Sequence, residues 1–275
     1  MQVATAIAPA RALLRALPHP LGFVPTMGAL HPGHIALVAA ARERCAGVVA
    51  SVFVNPLQFG PGEDFARYPR DYDGDFAKLA AAGVDALFAP DGATMYPPEF
   101  STTVDCGTIG NDFEGAIRPT HFAGVTTVVA KLLNVVCPDV LFLGQKDAQQ
   151  TAVLRRLVRD LAYPVDVVIV PTSREADGLA LSSRNAYLDA EQRAAAPSLN
   201  RALHALRDAL ASGATKADAI AAGRARLAPL ARLDYLDVVD ADSFVPVDAL
   251  RPPVFVVGAA RFGTTRLLDN LWIPD

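Results

Sequence analysis

Apolar runs of strand length alternate along the chain with stretches whose apolar residues recur at helical spacing, and the rhythm holds as far as Pro171. Leu21–Val24 is a short apolar run that Pro25 is expected to end, and Ile35–Cys45 then takes a helical pattern closed by the turn at Gly47. Val48–Val54 is almost continuously apolar and rich in β-branched residues, which suits a parallel strand covered on both faces. A helix over Tyr72–Ala82, a strand over Val84–Phe88, a helix over Phe122–Val135, a strand over Val140–Leu143, a helix over Ala148–Leu161 and a strand over Val165–Val170 continue the series. Repeated strand–helix units predict an open parallel α/β sheet, whose ligands collect beyond the C-terminal ends of the strands.

After Pro171 the pattern changes. The polar segment SREADGLALSSRNAYLD leads into Ala-rich helical stretches at Glu191–Ala211 and Lys216–Leu227, and then into strands at Leu233–Val239 and Val254–Gly258. This predicts a second, smaller α+β domain with the boundary near residues 171–176, dividing the chain into 1–172 and 173–275. No segment repeats at solenoid spacing.

Composition narrows the partners. With 275 residues, 52% of them hydrophobic and 20% charged, the chain can bury a large core or two modest ones. A formal net charge of −4 gives no global reason to expect nucleic-acid binding. Cys45, Cys106 and Cys137 are odd in number and widely spaced, which predicts buried thiols in a reducing compartment. The N-terminal residues lack the order of a secretory signal, and the uncharged stretch Leu21–Ala41 is broken by Pro25, His31, Pro32 and His34, so no membrane span is expected. A cytoplasmic protein is the expectation.

Three polar islands follow predicted strands or lie at the domain boundary. In the first, His31 and His34 flank Pro32-Gly33, where glycine permits close backbone approach and the following helix would offer unpaired N–H groups and a positive dipole end to phosphate. The two histidines alone also fit zinc ligation or helix capping and packing, although neither a Cys pair nor an HExxH helix supplies partners for zinc. No GxxxxGK[ST] loop is present and this turn is not GxGxxG. In the second island, Gly144 would let a nucleotide approach, Lys146 can neutralise phosphate and Asp147 can hold magnesium, ribose or the turn itself. Gln149 and Gln150 point to different helix faces, so one of them is expected to reach the pocket. In the third, Ser182 and Ser183 offer hydroxyls and Arg184 a mobile charge; a solvated interdomain loop uses the same residues. Together the islands favour adenylation by ATP, with nucleotide binding without chemistry as the alternative.

The blocks PTMGALHPGH, VNPLQF, RYPRD, RPTHFAGVTTVVAKLLN, FLGQKDAQQ, DGLALSSRN and AARFGTTRLLDN occur in this order over nearly the whole chain. In them the sequence resembles the pantoate–β-alanine ligase family, within the broader HxGH nucleotidyltransferases; another member of that broader group is the enzymatic alternative. The resemblance implies a Rossmann-like N-terminal domain that binds ATP and pantoate, and a smaller α+β domain closing over the ATP site. It implies a cytoplasmic, magnesium-using homodimer of the vitamin B5 pathway; charge and the lack of a span add the expectation of no nucleic-acid or membrane partner. Its reaction would join pantoate to β-alanine through a noncovalent pantoyl adenylate, giving pantothenate, AMP and diphosphate. By similarity, Met27, Gly28, His31, His34, Gly144, Lys146, Asp147, Ser173, Leu181, Ser182, Ser183 and Arg184 are ATP-site residues. Among them His31, His34, Lys146, Ser182, Ser183 and Arg184 would assist the chemistry, while Gln58, Gln150, Asn55 and Arg118 would bind substrate and Asp75 would help hold magnesium. The family pattern has glycine where this chain has Thr120.

Overall fold

The computed structural model, which describes residues 1–274, carries the expected alternation. Its first elements are β1 (Gln2–Ala4), α1 (Ile7–Leu14), β2 (Leu21–Thr26), α2 (Pro32–Arg44), β3 (Gly47–Val52), α3 (Tyr72–Ala81), β4 (Ala86–Phe88), α4 (Gly92–Met95) and α5 (Glu114–Ile117). There follow α6 (His121–Val136), β5 (Val140–Gly144), α7 (Ala148–Asp160), β6 (Asp166–Val170), α8 (Ala190–Ala195), α9 (Ser198–Ala211), α10 (Lys216–Arg224), β7 (Ala231–Asp240), β8 (Val254–Phe262) and β9 (Thr265–Ile273). One unit comprises Met1–Gly144 and Val153–Val170; the other comprises Gln145–Ala152 and the chain from Pro171 onward.

In the first unit six parallel strands lie in the order β1-β4-β3-β2-β5-β6, a Rossmann-like arrangement. Both faces are buried, which is why the strands read as unbroken apolar runs. Phe23, Val49, Leu141 and Leu143 pack with α1 and α6 residues such as Leu14, Val129 and Leu133, while Val24, Val48, Ala50 and Phe142 pack with Leu37, Val38 and Leu79 of α2 and α3. β2 runs through Pro25 to Thr26, beyond the expected stop. Its pairing with β5 ends at Phe23, so the N–H that Pro25 lacks falls beyond that ladder, while Pro25 still pairs in register with Ser51 of β3.

The second unit is built on the antiparallel sheet β7-β8-β9, a smaller α+β architecture as expected. Leu203, Leu206 and Leu210 of α9 pack on Leu236, Val238, Val254 and Val256. The single helical stretch expected at Glu191–Ala211 is two helices, parted at Pro197, which has no N–H to continue the first.

One other expectation changes. Only Cys45 of the three free cysteines is buried; Cys137 is exposed, because it ends α6 in the left-handed conformation (φ 49°) that turns the chain outward. Thr120, where the family pattern has glycine, has φ −96° and ψ −6°, a conformation open to any side chain. Among the described residues no helix is long and apolar enough to cross a membrane.

One glycine fixes how α6 meets the chain after β3. A Cβ on Gly124 would lie 2.3 Å from the Leu57 carbonyl oxygen and 2.5 Å from the Gln58 nitrogen, both backbone atoms of a 3-10 turn at Pro56–Gln58. Gly124→Ala is therefore expected to push that turn away and to destabilise the protein by about 1–3 kcal/mol. Urea unfolding measures this, and an unchanged midpoint would contradict the packing.

Candidate active site

The loop after β2 is held by a carboxylate from a distant helix. Gly28 and Ala29 both take positive φ, 83° and 52°, and the second is uncommon for a residue with a side chain. Asp75, on α3 and 1% exposed, offsets that strain: its Oδ2 accepts from the Ala29 N–H at 2.8 Å and its Oδ1 from the Leu30 N–H at 2.7 Å. Gly28 leaves room for the carboxylate, since a Cβ there would sit 2.8 Å from Asp75 Oδ2. Lys78 donates to the Leu30 carbonyl at 2.9 Å. Asp75, expected beside magnesium, thus has both oxygens engaged by the loop. Among the described residues no cluster of three His, Cys, Asp or Glu side chains has the makings of a metal site.

The held loop delivers His31 as the N-cap of α2. His31 Nδ1 accepts from the Gly33 N–H at 3.2 Å, and His34 Nδ1 accepts from the His31 N–H at 3.3 Å. An imidazole nitrogen that accepts carries no hydrogen, so in each neutral ring the proton is on Nε2. The two rings lie 4.1 Å apart between centroids, giving a pair of N–H donors at the end of a strand. The backbone contributes less than expected: Pro32 has no N–H, that of Gly33 goes to His31, and that of His34 goes to the His31 carbonyl. Capping, one of the alternatives open in the sequence, thus uses Nδ1 of both rings.

A second group forms around Gln58 in the same unit. Asn55 is 1% exposed and donates through Nδ2 to Gln58 Oε1 at 3.0 Å and to the Gly124 carbonyl at 3.1 Å. Gln58 Nε2 in turn reaches Met27 Sδ at 3.0 Å. Arg118 does not stand open for a substrate: it grips Glu63 with two hydrogen bonds, 2.8 Å to Oε1 and 2.6 Å to Oε2, and donates to the Gln58 carbonyl at 3.1 Å. His121 Nδ1 donates to that same carbonyl at 3.0 Å, which leaves Nε2 to accept from Arg118 at 3.2 Å. Burial tends to raise the Glu63 carboxyl, but its hydrogen bonds and charge attraction with Arg118 outweigh this and hold it below the ordinary value.

In the second unit, Lys146 Nζ lies 3.4 Å from Asp147 Oδ1. Asn270 on β9 holds this segment by donating at 2.9 Å to both the Gln145 and the Lys146 carbonyls. Its neighbour Asp269, almost fully buried, pairs in two bonds of 2.7 and 2.8 Å with Arg174. Lys146 and Ser182 line one small cavity with Leu179, Ala180, Asn200 and Asp269. Ser182 caps the short turn Ser183–Tyr187 by accepting from the Arg184 N–H at 3.3 Å. Ser173 and Leu181 meet through a backbone bond of 2.9 Å. Gln149 is buried at 4% exposure, whereas Gln150 is half-buried, and Gly144 closes β5.

The residues that sequence reasoning passed over as site parts are Glu63, Tyr96, His121, Arg174, Asp269 and Asn270. His121 lies inside the block RPTHF, Arg174 opens the polar island before SSRN and Asp269-Asn270 close LLDN, so for those the signal was present as a motif without a role.

A six-stranded parallel sheet thus carries a two-histidine turn after β2. The family described as pantoate-beta-alanine ligase matches residues 2–272. Pantothenate synthetase of Rhizorhabdus wittichii is 53% identical over 262 residues, covering 94% of this chain and 93% of that protein. That of Chloroflexus aurantiacus is 54% identical over 259 residues, covering 93% and 92%. The crystal structure of pantothenate synthetase from Thermus thermophilus superposes with a TM-score of 0.95 at 51% identity, over all of both chains. The Francisella tularensis pantoate-beta-alanine ligase, crystallised with beta-gamma ATP and beta-alanine, gives 0.82 at 33% identity over 99% of this chain and 97% of that one. The chain belongs to the pantoate–β-alanine ligase family: it is an enzyme that ligates pantoate and β-alanine in an ATP-dependent reaction.

His121 gives the site a measurable pH signature. Burial, reinforced by the Arg118 charge, holds its imidazole at about 4, against an ordinary value near 6.5. The unfolded chain then binds a proton that the folded chain refuses, so the stability contributed by the neutral ring is complete above about pH 6.5 and is lost as pH falls toward about 4. Denaturant unfolding is expected to show about 2 kcal/mol of this loss by pH 5, and His121→Asn to remove that part of the pH dependence. Identical slopes for the two proteins between pH 7 and 5 would refute the assignment.

Proposed function

We propose that the ligation runs through a pantoyl adenylate held without a covalent bond to the protein. Pantoate is a carboxylic acid, ionised near neutral pH, and needs no enzyme nucleophile to attack the α-phosphorus of ATP. Attack forms the acyl–phosphate bond and breaks the bond to diphosphate, which leaves carrying the negative charge. The β-alanine amine then attacks the activated carbonyl carbon and expels AMP, with loss of its proton.

The observation that carries this reading is the paired capping of His31 and His34 through Nδ1, which places the proton of each neutral ring on Nε2. Donors fixed before the reaction begins stabilise charge that develops on phosphate oxygens. In the same reading Lys146, Ser182, Ser183 and Arg184 serve the phosphates, with Met27, Gly28, Gly144, Asp147, Ser173 and Leu181 around the nucleotide. Gln58 and Gln150 hold pantoate and Asn55 fixes Gln58, while Arg118, expected at the substrate, is taken up by Glu63 and braces the Gln58 carbonyl.

Asp75, with both oxygens engaged by the loop, and the donor set around it do not make a protein-built magnesium cage. Magnesium is taken as arriving on the nucleotide, where substrate phosphates and water supply most of its ligands. The reading also has the enzyme working in the cytoplasm as a homodimer without nucleic-acid or membrane partners, and the net charge of −4 supports the first of those two absences.

With ATP, magnesium and labelled diphosphate, label is expected to enter ATP only when pantoate is present and without any need for β-alanine. His34→Ala should slow adenylate formation in a single turnover by about 10²-fold or more. Exchange that requires β-alanine, or ADP as the stoichiometric product, would replace this order of events, and near-normal adenylate formation in the variant would remove His34 from the role.

A further inference from the structure

A glutamine side chain presents an acceptor at one end of its amide and two donors at the other, so a site that uses it must settle which end faces the substrate. For Gln58 the choice is made by Asn55, whose Nδ2 is fixed as a donor by the Gly124 carbonyl and gives its other hydrogen to Gln58 Oε1. The Gln58 NH2 group is thereby turned toward Met27, on the loop that carries the histidines. Asn55 needs an anchor of its own. Its Oδ1 accepts from the Leu57 N–H at a long 3.3 Å and from the Tyr96 hydroxyl at 2.7 Å, and the second is the shortest bond the side chain makes.

Tyr96 is well placed to be that anchor. Its ring packs edge-on to Phe100 with centroids 4.9 Å apart and lies 6.0 Å from Phe53, and the Lys131 ammonium sits 5.6 Å from its centroid. Burial pushes the phenol up from its ordinary value, so the hydroxyl stays protonated and able to donate across the working range of pH.

We propose that Tyr96 is a positioning residue for pantoate binding, acting through Asn55 to hold the Gln58 amide with its NH2 group toward the substrate side. The proposal rests on the reading of Gln58 as a pantoate-holding residue. It casts Gln58 as a donor to an oxygen of pantoate, and it gives the phenol no contact with substrate.

A double-mutant cycle on the full-length enzyme tests it. Tyr96→Phe is expected to raise KM for pantoate about tenfold while kcat, KM for ATP and Tm stay close to wild type. In a Gln58→Ala background the same change should add less than about twofold, because the amide it orients is gone. A full tenfold effect on both backgrounds, or parallel rises in KM for pantoate and ATP with a fall in Tm, would assign Tyr96 a general structural role and overturn the proposal. So would an unchanged KM in Tyr96→Phe beside a raised one in Gln58→Ala, which leaves the reading of Gln58 intact. An unchanged KM in Gln58→Ala would remove that reading and the proposal with it. Should Tyr96→Phe fail to fold, Asn55→Asp takes its place in the cycle: a carboxylate facing Gln58 draws the NH2 group inward, and its effect on pantoate KM must likewise vanish when Gln58 is Ala.

Discussion

Everything at the end of β2 depends on one buried carboxylate. Ala29 holds a positive φ that costs a residue with a side chain, and Asp75 offsets that cost by taking the N–H groups of Ala29 and Leu30 at once. Its side chain is almost wholly removed from water, a position a carboxylate tolerates only with its hydrogen bonds made. The loop is therefore not a flexible connector. It is fixed to α3, and the position of His31 at the start of α2 follows from that.

The same economy of donors and acceptors recurs around Gln58. Its backbone carbonyl takes hydrogen bonds from Arg118 and His121, its side-chain oxygen takes one from Asn55, and Gly124 lets α6 approach closely enough for these bonds to form. In the second unit Asn270 and Asp269 do comparable work, one on the carbonyls before α7 and the other on Arg174. In each place the residues nearest the proposed chemistry have their orientation decided by neighbours that do none of it. Such support is what allows donors to stabilise a transition state without being reorganised at the moment of reaction.

Most strands of the parallel sheet were legible because a strand buried on two faces leaves an apolar run of strand length, as at Val48–Val52. β1 and β9 were not. β1 has three residues, two of them exposed, and β9 carries Asp269 and Asn270 in its interior, polar residues that belong there only because Arg174 and two loop carbonyls receive them. The histidine loop and the polar islands were legible as chemistry, since their residue types are suited to phosphate. Their partners were not, because these are set by the fold: Asp75 lies 46 residues beyond Ala29, and Asn270 lies 125 residues beyond Gln145. Tyr96 sits in a stretch with no phosphate-binding pattern, and its bearing on Gln58 exists only through the hydrogen bond to Asn55.

Capping fixes both histidines with Nδ1 as acceptor, which places the proton of each neutral ring on Nε2. Nitrogen-15 NMR of the ring nitrogens in histidine-labelled, ligand-free enzyme at neutral pH reads the tautomer directly, with His31 and His34 assigned by single substitutions. Both rings are expected to show a protonated, pyrrole-like Nε2 and an unprotonated Nδ1. A proton on Nδ1 of either ring would show that its cap is not formed in solution, and the account of how this turn meets phosphate would fail with it.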